Sequence, residues 1–176
     1  MLQFAMPLSC SIENLKGSRE LVICDSELSR GAHKELFRFR DEAYVIGEAD
    51  TIFNTILGLV EAFNSAPEFS PARIHIVLGW ENILKVYVWK STRPSAGDTF
   101  ILLKNSGVSQ QDLQPFKKAD INDLFPWLYY GKQFSVLKKV CHAAKKQMEN
   151  HLSDHKIRVD GHLVAEDSKR IVASSL

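Results

Sequence analysis

The sequence predicts an α/β protein with a mixed sheet and a helical second half. Three observations support this fold class. Short apolar runs bounded by turn residues, such as Glu20–Cys24 and Arg73–Trp80, are typical of buried strands. Apolar residues recur at helical spacing after Asp50, between those two strands. The helical period dominates after residue 107, and strands that are joined through a crossover helix form a mixed sheet.

Six segments of the first half are predicted as strands because they combine apolar, β-branched and aromatic residues. The gap at Asp41-Glu42 has the length of a tight hairpin, so the first three strands are expected to form a meander. The six segments are Glu20–Cys24, His33–Arg40, Ala43–Gly47, Arg73–Trp80, Ile83–Lys90 and Asp98–Lys104.

The helices are predicted from their caps and their apolar stripes. One helix runs from Asp50 as N-cap to Asn64, and a short one spans Ser109–Phe116. Asp120 caps a further helix, and a long amphipathic helix runs from about residue 132 to residue 155. Asp160-Gly161 lies between apolar pairs, which predicts a final hairpin.

A chain of 176 residues has the length of one domain, which we take as residues 1–167. Residues 1–107 and 108–167 are the two subdomains into which this body would divide. Residues 168–176 hold a basic pair followed by apolar and small residues. We expect this tail to be either a frayed terminus or the first turn of a membrane helix that continues beyond Leu176.

Composition excludes several classes of protein. Lys and Arg number 22 against 21 Asp and Glu, and 45% of residues are hydrophobic. A disordered chain is therefore excluded, and generic binding to nucleic acid is disfavoured. Cys10, Cys24 and Cys141 are odd in number and far apart, which indicates a reducing compartment rather than a disulfide framework or a zinc ribbon.

No residue is predicted to be catalytic or to hold a cofactor. Asp25 ends the first strand, but the turn after it lacks the glycines of a phosphate loop and contains Glu27. We therefore predict that Asp25 closes a turn and that Glu27 is solvated. A nucleotide site at Asp25 is the alternative, and a Mg²⁺-dependent nuclease would combine Asp25 with Glu48, Asp50 and Glu61.

No metal site or nucleophile is predicted either. His151 and His155 share a helix face without a third ligand, and His75 is expected to pack within a strand. Cys24 and Cys141 lie in apolar runs, where a cysteine behaves as a small buried apolar residue.

Two groups of residues are predicted to bind a protein partner. The aromatic segment Phe125–Tyr130 is either a core corner or an anchor for binding, because Trp and Tyr dominate interface hot spots. Four lysines lie opposite the apolar face of the long helix, as a solvated face or as a contact for an acidic partner or anionic lipid. The candidate binding residues are Trp127, Tyr129, Tyr130, Lys138, Lys139, Lys145 and Lys146.

Three strands, a helix and a further strand are also the opening of the RNase H-like and actin-like folds. With the strand Glu20–Asp25, the strands at Phe37 and Val45, the helix from Asp50 and the run Arg73–Leu78, the chain resembles the cytoplasmic domains of GspL- and PilM-type assembly proteins. Within that group it is most similar to the bundle-forming-pilus members. The resemblance covers roughly residues 15–165 and carries over no site residue.

This resemblance implies an actin-like core without nucleotide hydrolysis, on the cytoplasmic face of the bacterial inner membrane. The expected function is that of a non-enzymatic scaffold of a type IV pilus or type II secretion machine. Its partners would be the assembly ATPase, an inner-membrane platform protein and a second copy of the chain, with no nucleic acid. The alternatives are a nuclease or phosphotransferase on an RNase H-like or actin-like fold, and a free cytosolic adaptor or chaperone.

Overall fold

A five-stranded mixed sheet forms the centre of the computed structural model, which describes residues 19–176. The strand order is β2-β1-β3-β4-β5, with β5 antiparallel to β4 and the other pairs parallel. The strands are β1 (Glu20–Cys24), β2 (Tyr44–Ile46), β3 (Arg73–Leu78), β4 (Arg158–Ala165) and β5 (Arg170–Ser174).

Seven α-helices connect these strands, and four of them begin at a side chain that accepts a backbone N–H. Ser26, Ser95, Ser109 and Asp120 are these N-caps, and each satisfies a donor that the first helical turn leaves unpaired. The helices are α1 (Glu27–Leu36), α2 (Ile52–Ser65), α3 (Trp80–Val88), α4 (Ala96–Asn105), α5 (Gln110–Leu113), α6 (Ile121–Tyr130) and α7 (Phe134–His151).

The two faces of the sheet bury different cores. Alternate residues of β1 and β3, such as Ile23 and Ile76, belong to the larger core together with α2, α3, α6 and α7. Val22, Cys24 and Val77 belong to a smaller core on the other face, with Ala32 of α1. This alternation follows from the period of two in a strand. No helix among residues 19–176 has the length and apolarity needed to cross a bilayer.

The predicted α/β class with a mixed sheet is confirmed, and so are the strands at residues 20–24 and 73–78 and the short strand within Ala43–Gly47. The helix after Asp50 begins at Ile52 with Thr51 at the N-cap position, one residue later than predicted. The predicted long helix spans Phe134–His151, which is shorter at both ends. The helices capped by Ser109 and Asp120 are also confirmed, the first continuing through a 3₁₀ turn to Phe116.

The predicted meander of the first three strands is wrong. The expected strand His33–Arg40 is the end of α1 followed by an irregular segment, because the Ser26 side chain caps a helix that crosses over the sheet. The crossover makes β2 parallel to β1, and Asp41–Ala43 forms a 3₁₀ turn where the hairpin was expected.

The predicted strands Ile83–Lys90 and Asp98–Lys104 are also wrong, since they form most of α3 and α4. Short apolar runs do not distinguish a buried strand from a buried helix. The hairpin at Asp160-Gly161 is not formed either, because both residues lie inside β4 and the turn comes after Ala165. Within the expected tail 168–176, Arg170–Ser174 forms β5, so these residues are not the first turn of a helix.

Candidate functional site

The candidate functional site is a cleft at the carboxyl ends of β1 and β3. From β1 the chain continues to β2 on one side, and from β3 it leads to β4 on the other side. A sheet of this order opens a crevice where the direction of winding changes, and ligands bind there in open α/β folds. The cleft has a volume of about 880 Å³, which is large enough for a small molecule or a few side chains of a peptide.

Asp25 lies at the floor of this cleft and is 5% exposed. Its Oδ1 accepts a hydrogen bond from Ser29 Oγ at 2.5 Å. Its Oδ2 accepts from the backbone N–H of Gly79 at 2.7 Å and from Asn82 Nδ2 at 2.9 Å. The carboxylate therefore ties the beginnings of α1 and α3 together, and its negative charge stabilises the positive ends of both helix dipoles.

The predicted role of Asp25 agrees with this geometry, since the residue closes the turn between β1 and α1. Glu27 is 73% exposed in its side chain and pairs with Arg30 at 3.2 Å, as expected for a solvated residue. The turn after Asp25, where the alternative of a nucleotide site would place a phosphate, forms the start of α1, and the Ser29 N–H there already bonds to Ser26 Oγ.

The lining of the cleft is predominantly acidic. Five carboxylates line it, against the single ammonium group of Lys85, which is buried. The Lys85 Nζ lies 3.3 Å from Glu81 Oε1, so that ammonium is already paired within α3. The five carboxylates belong to Asp25, Asp50, Glu81, Glu166 and Asp167.

Aromatic side chains of α6 form one wall of the cleft. Phe125 and Tyr130 both line it, and Tyr130 is 69% exposed. The Tyr130 hydroxyl donates to Asp167 Oδ2 at 2.6 Å, which lowers the pKa of that carboxyl and raises the pKa of the phenol. Tyr129 stacks on Phe125 with ring centroids 5.7 Å apart.

Of the three aromatic residues predicted to bind a partner, only Tyr130 lines the cleft. Tyr129 lies behind it through contacts with Tyr130 and Phe125, and is half-buried. Trp127 packs against Phe116 with ring centroids 4.9 Å apart, on a part of α6 that does not reach the cleft. The aromatic segment is thus partly a core corner and partly an exposed wall.

The four predicted lysines of α7 do not line the cleft. Lys138 and Lys146 are exposed. The Lys139 ammonium donates to the backbone oxygen of Ser106 at 3.2 Å. The Lys145 ammonium lies 3.8 Å from Glu149 and 3.9 Å from Asp160. Two of the four lysines therefore already interact with other groups of the same chain.

The carboxylates proposed for a nuclease do not converge on one ion in the part of the chain that the structure describes. Asp50 lines the cleft together with Asp25, whereas Glu48 and Glu61 do not line it. Across residues 19–176, the only group of three or more His, Cys, Asp or Glu donors close enough for one metal ion consists of histidines. That group is His33, His75 and His162.

The three histidines lie on the sheet face that α1 covers, and sequence reasoning missed their convergence. His75 of β3 packs inside the protein as predicted, but beside two further imidazoles, from His33 of α1 and His162 of β4. The signal in the sequence was weak, since one histidine stands in each of two strands that were not expected to be neighbours. His151, in contrast, is exposed and stacks on Trp89 at 4.1 Å.

Both cysteines among the described residues are buried, as predicted. Burial raises the pKa of the Cys141 thiol to about 12 and raises that of Cys24 even further from its usual range. Neither is a thiolate nucleophile at neutral pH. Cys10 lies outside the described residues.

No protein-family model, curated protein or solved structure matches this chain.

Proposed function

We propose that this domain is a non-enzymatic binding module whose cleft takes a cationic segment of a partner protein. The observation that supports this is the lining of the cleft, which contains five carboxylates and one ammonium that is already paired. A Lys or Arg side chain entering the cleft would meet an excess of negative charge in a partly desolvated space, where Coulomb attraction is stronger than in bulk water.

The aromatic wall supports the same kind of ligand. Tyr130 and Phe125 present ring surface next to Asp167, and a guanidinium group stacks on such faces while it pairs with a carboxylate. Glu166 and Asp167 follow β4 directly, so two carboxylates reach the cleft from one turn. A single Arg side chain of the partner could therefore stack on an aromatic ring and pair with a carboxylate at the same time.

A binding role is favoured over catalysis by the state of Asp25. Four donors contact its two oxygens, the fourth being Ser26 Oγ at 3.4 Å from Oδ1, and a carboxylate held in this way is neither free to ligate a metal nor positioned to act as a nucleophile. The nuclease or phosphotransferase alternative would need Asp25 to abandon these bonds. An assay with nucleic acid and Mg²⁺ or Mn²⁺, with Asp25→Asn as the comparison, tests that alternative directly.

A scaffold of a type IV pilus or type II secretion machine, at the cytoplasmic face of the inner membrane, is the cellular role that we propose for such a module. The partner segment would then belong to the assembly ATPase or to the platform protein. The mixed α/β sheet and the internal use of Asp25 support this proposal. An actin-like or RNase H-like core is part of the same proposal, although the meander that first suggested it is not formed.

The binding proposal is tested with short labelled peptides in fluorescence anisotropy. We expect a tetra-arginine peptide flanked by tryptophan to bind the wild type with a strong dependence on salt, and a tetra-glutamate counterpart not to bind. The variant Glu166→Gln/Asp167→Asn should lose at least tenfold in affinity. The matched control Lys138→Gln/Lys146→Gln should keep the wild-type affinity.

Loss of binding in the lysine control, or equal binding of the acidic peptide, would contradict the acidic cleft as the binding site. The cellular role is tested separately by capture of the purified N-terminal domain of an assembly ATPase on the immobilised protein. Capture by the wild type but not by the Glu166→Gln/Asp167→Asn variant supports the scaffold. Capture that both proteins share would place the partner on another surface.

A further inference from the structure

The face of the sheet that α1 covers holds three imidazoles in van der Waals contact, outside the cleft described above. His33, His75 and His162 are 0%, 1% and 0% exposed, and each offers a ring nitrogen that lies within 4.8 Å of the other two. We propose that these three side chains bind one Zn²⁺ ion, through His33 Nε2, His75 Nδ1 and His162 Nε2.

The strongest sign of a metal site is His33 Nε2. This nitrogen is buried and has no hydrogen-bond partner. An unpaired polar atom in the interior costs about 1–3 kcal/mol and therefore demands an explanation. The other nitrogen of the same ring, Nδ1, lies 2.9 Å from the Tyr44 hydroxyl. With its proton on Nδ1, the ring leaves the lone pair of Nε2 free to coordinate a metal ion.

His75 and His162 already face each other through the nitrogens that the site would use. Their Nδ1 and Nε2 atoms are 3.0 Å apart, and the two rings are parallel within 8°. Two nitrogens that bind one tetrahedral zinc at about 2.0–2.1 Å are separated by roughly 3.3 Å. Binding would thus replace this hydrogen bond after a separation of a few tenths of an ångström and a rotation of both rings that turns their lone pairs toward the ion.

The outward nitrogen of each ring has a partner of the kind that supports a metal ligand. His75 Nε2 lies 3.3 Å from Glu20 Oε2, and His162 Nδ1 lies 2.8 Å from Ser174 Oγ. With Tyr44 on His33, all three rings are held from outside by oxygen atoms. Such contacts fix the tautomer and increase the basicity of the coordinating nitrogen, as in carboxylate–histidine–zinc arrangements.

The protonation state and the surroundings suit the ion. Burial lowers the pKa of His33 to about 3 and that of His162 to about 4, so both rings are neutral and able to coordinate at pH 7. Phe37 stacks on His33 with ring centroids 4.4 Å apart, and Phe39 lies 5.2 Å from His75. These rings cover the cluster, so a bound zinc would stabilise the packing of α1 on β3 and β4.

Metal analysis and direct titration test the proposal on the full-length protein. We expect about one zinc per chain after purification, its removal by a chelator, and recovery of one site on addition of ZnCl₂, with a higher melting temperature. Co²⁺ in the same site should give a visible absorption band of tetrahedral coordination. Failure of the chelator-treated wild type to take up either metal would overturn the proposal.

Variants then assign the site. His33→Phe should reduce zinc affinity more than tenfold, and Glu20→Gln, which touches the site only through His75, should weaken it by about 10–100-fold. The matched control His155→Gln removes an exposed histidine and should leave both affinity and stoichiometry unchanged. If His33→Phe does not fold, the zinc titrations of the wild type and of Glu20→Gln still test the proposed site. Equal losses in Glu20→Gln and His155→Gln would contradict the assignment.

Discussion

Gly161 lies in the middle of β4, at the point where α7 approaches the sheet most closely. A Cβ atom built on this residue would stand 2.8 Å from the backbone oxygen of Cys141 and 3.5 Å from its carbonyl carbon. Both atoms belong to the backbone of α7, which cannot rotate away as a side chain would. The substitution Gly161→Ala therefore forces the helix and the strand apart.

The size of the effect follows from this distance. To restore an ordinary contact of 3.4 Å, α7 must retreat by about 0.6 Å from the strand, along a helix whose inner residues are fully buried. Overpacking of this kind costs about 1–3 kcal/mol in the free energy of unfolding. For a chain of this length, each kcal/mol lowers the melting temperature by about 2–4 °C.

The assay is urea unfolding monitored by circular dichroism, with Gly31→Ala as the matched control. Gly31 is exposed within α1, and a Cβ built there has no atom within 4 Å. We expect Gly31→Ala to raise the free energy of unfolding by about 0.5–1 kcal/mol, because alanine favours the helix. A glycine-to-alanine substitution is thus expected to lower the free energy of unfolding at Gly161 and to raise it at Gly31. A Gly161→Ala variant as stable as the wild type would refute the close approach of α7.

Three further predictions concern single side chains. Asp25→Asn replaces an acceptor of four hydrogen bonds by a group that must turn an NH₂ toward a donor, and should lower the free energy of unfolding by about 1.5–3 kcal/mol in urea. Asn64→Ala removes two hydrogen bonds, at 2.8 Å and 2.7 Å, that join the end of α2 to the end of α7. It should cost about 1–2 kcal/mol in the same assay, with Asn54→Ala on the exposed face of α2 as the control. Iodoacetamide at pH 8 should leave Cys24 and Cys141 unmodified in the native protein and alkylate both in urea, as read by peptide mass mapping; rapid labelling of either in the native state would contradict their burial.

The sequence predicted the fold class and the position of most elements, but not their neighbours. Periodicity identified β1, β3, α2 and α7, because each has a long or clearly bounded apolar pattern. Residues 83–90 and 98–104 are predicted as strands on local preference alone, yet they form helices whose apolar residues belong to the larger core. Long-range packing overrides a weak local preference for strand.

The site illustrates the same limit. The position of Asp25 at the end of a strand predicts its role in a turn. The sequence does not predict its hydrogen-bond partners, since Gly79 and Asn82 are more than fifty residues away. Prediction of the histidine cluster requires the strand order, because His75 and His162 meet only when β3 lies next to β4. It also requires the position of α1, whose His33 contacts both rings. Asp160-Gly161 is predicted as a turn because Asp-Gly pairs are common in turns. In the structure, Gly161 instead lies in β4, where the absence of a Cβ lets α7 come close to the strand.

The strand order also has a consequence for the synthesis of the protein. The central strand β3 lies between β1 and β4, and Arg73 of β3 pairs with Arg158 of β4 far along the chain. Until β4 and β5 have emerged from the ribosome, β3 has an open edge and two of the five strands are missing. Non-local pairing of this kind slows folding and exposes apolar strands to aggregation. The sheet of this chain is thus completed late, because β3 gains its second neighbour only when β4 has been synthesised.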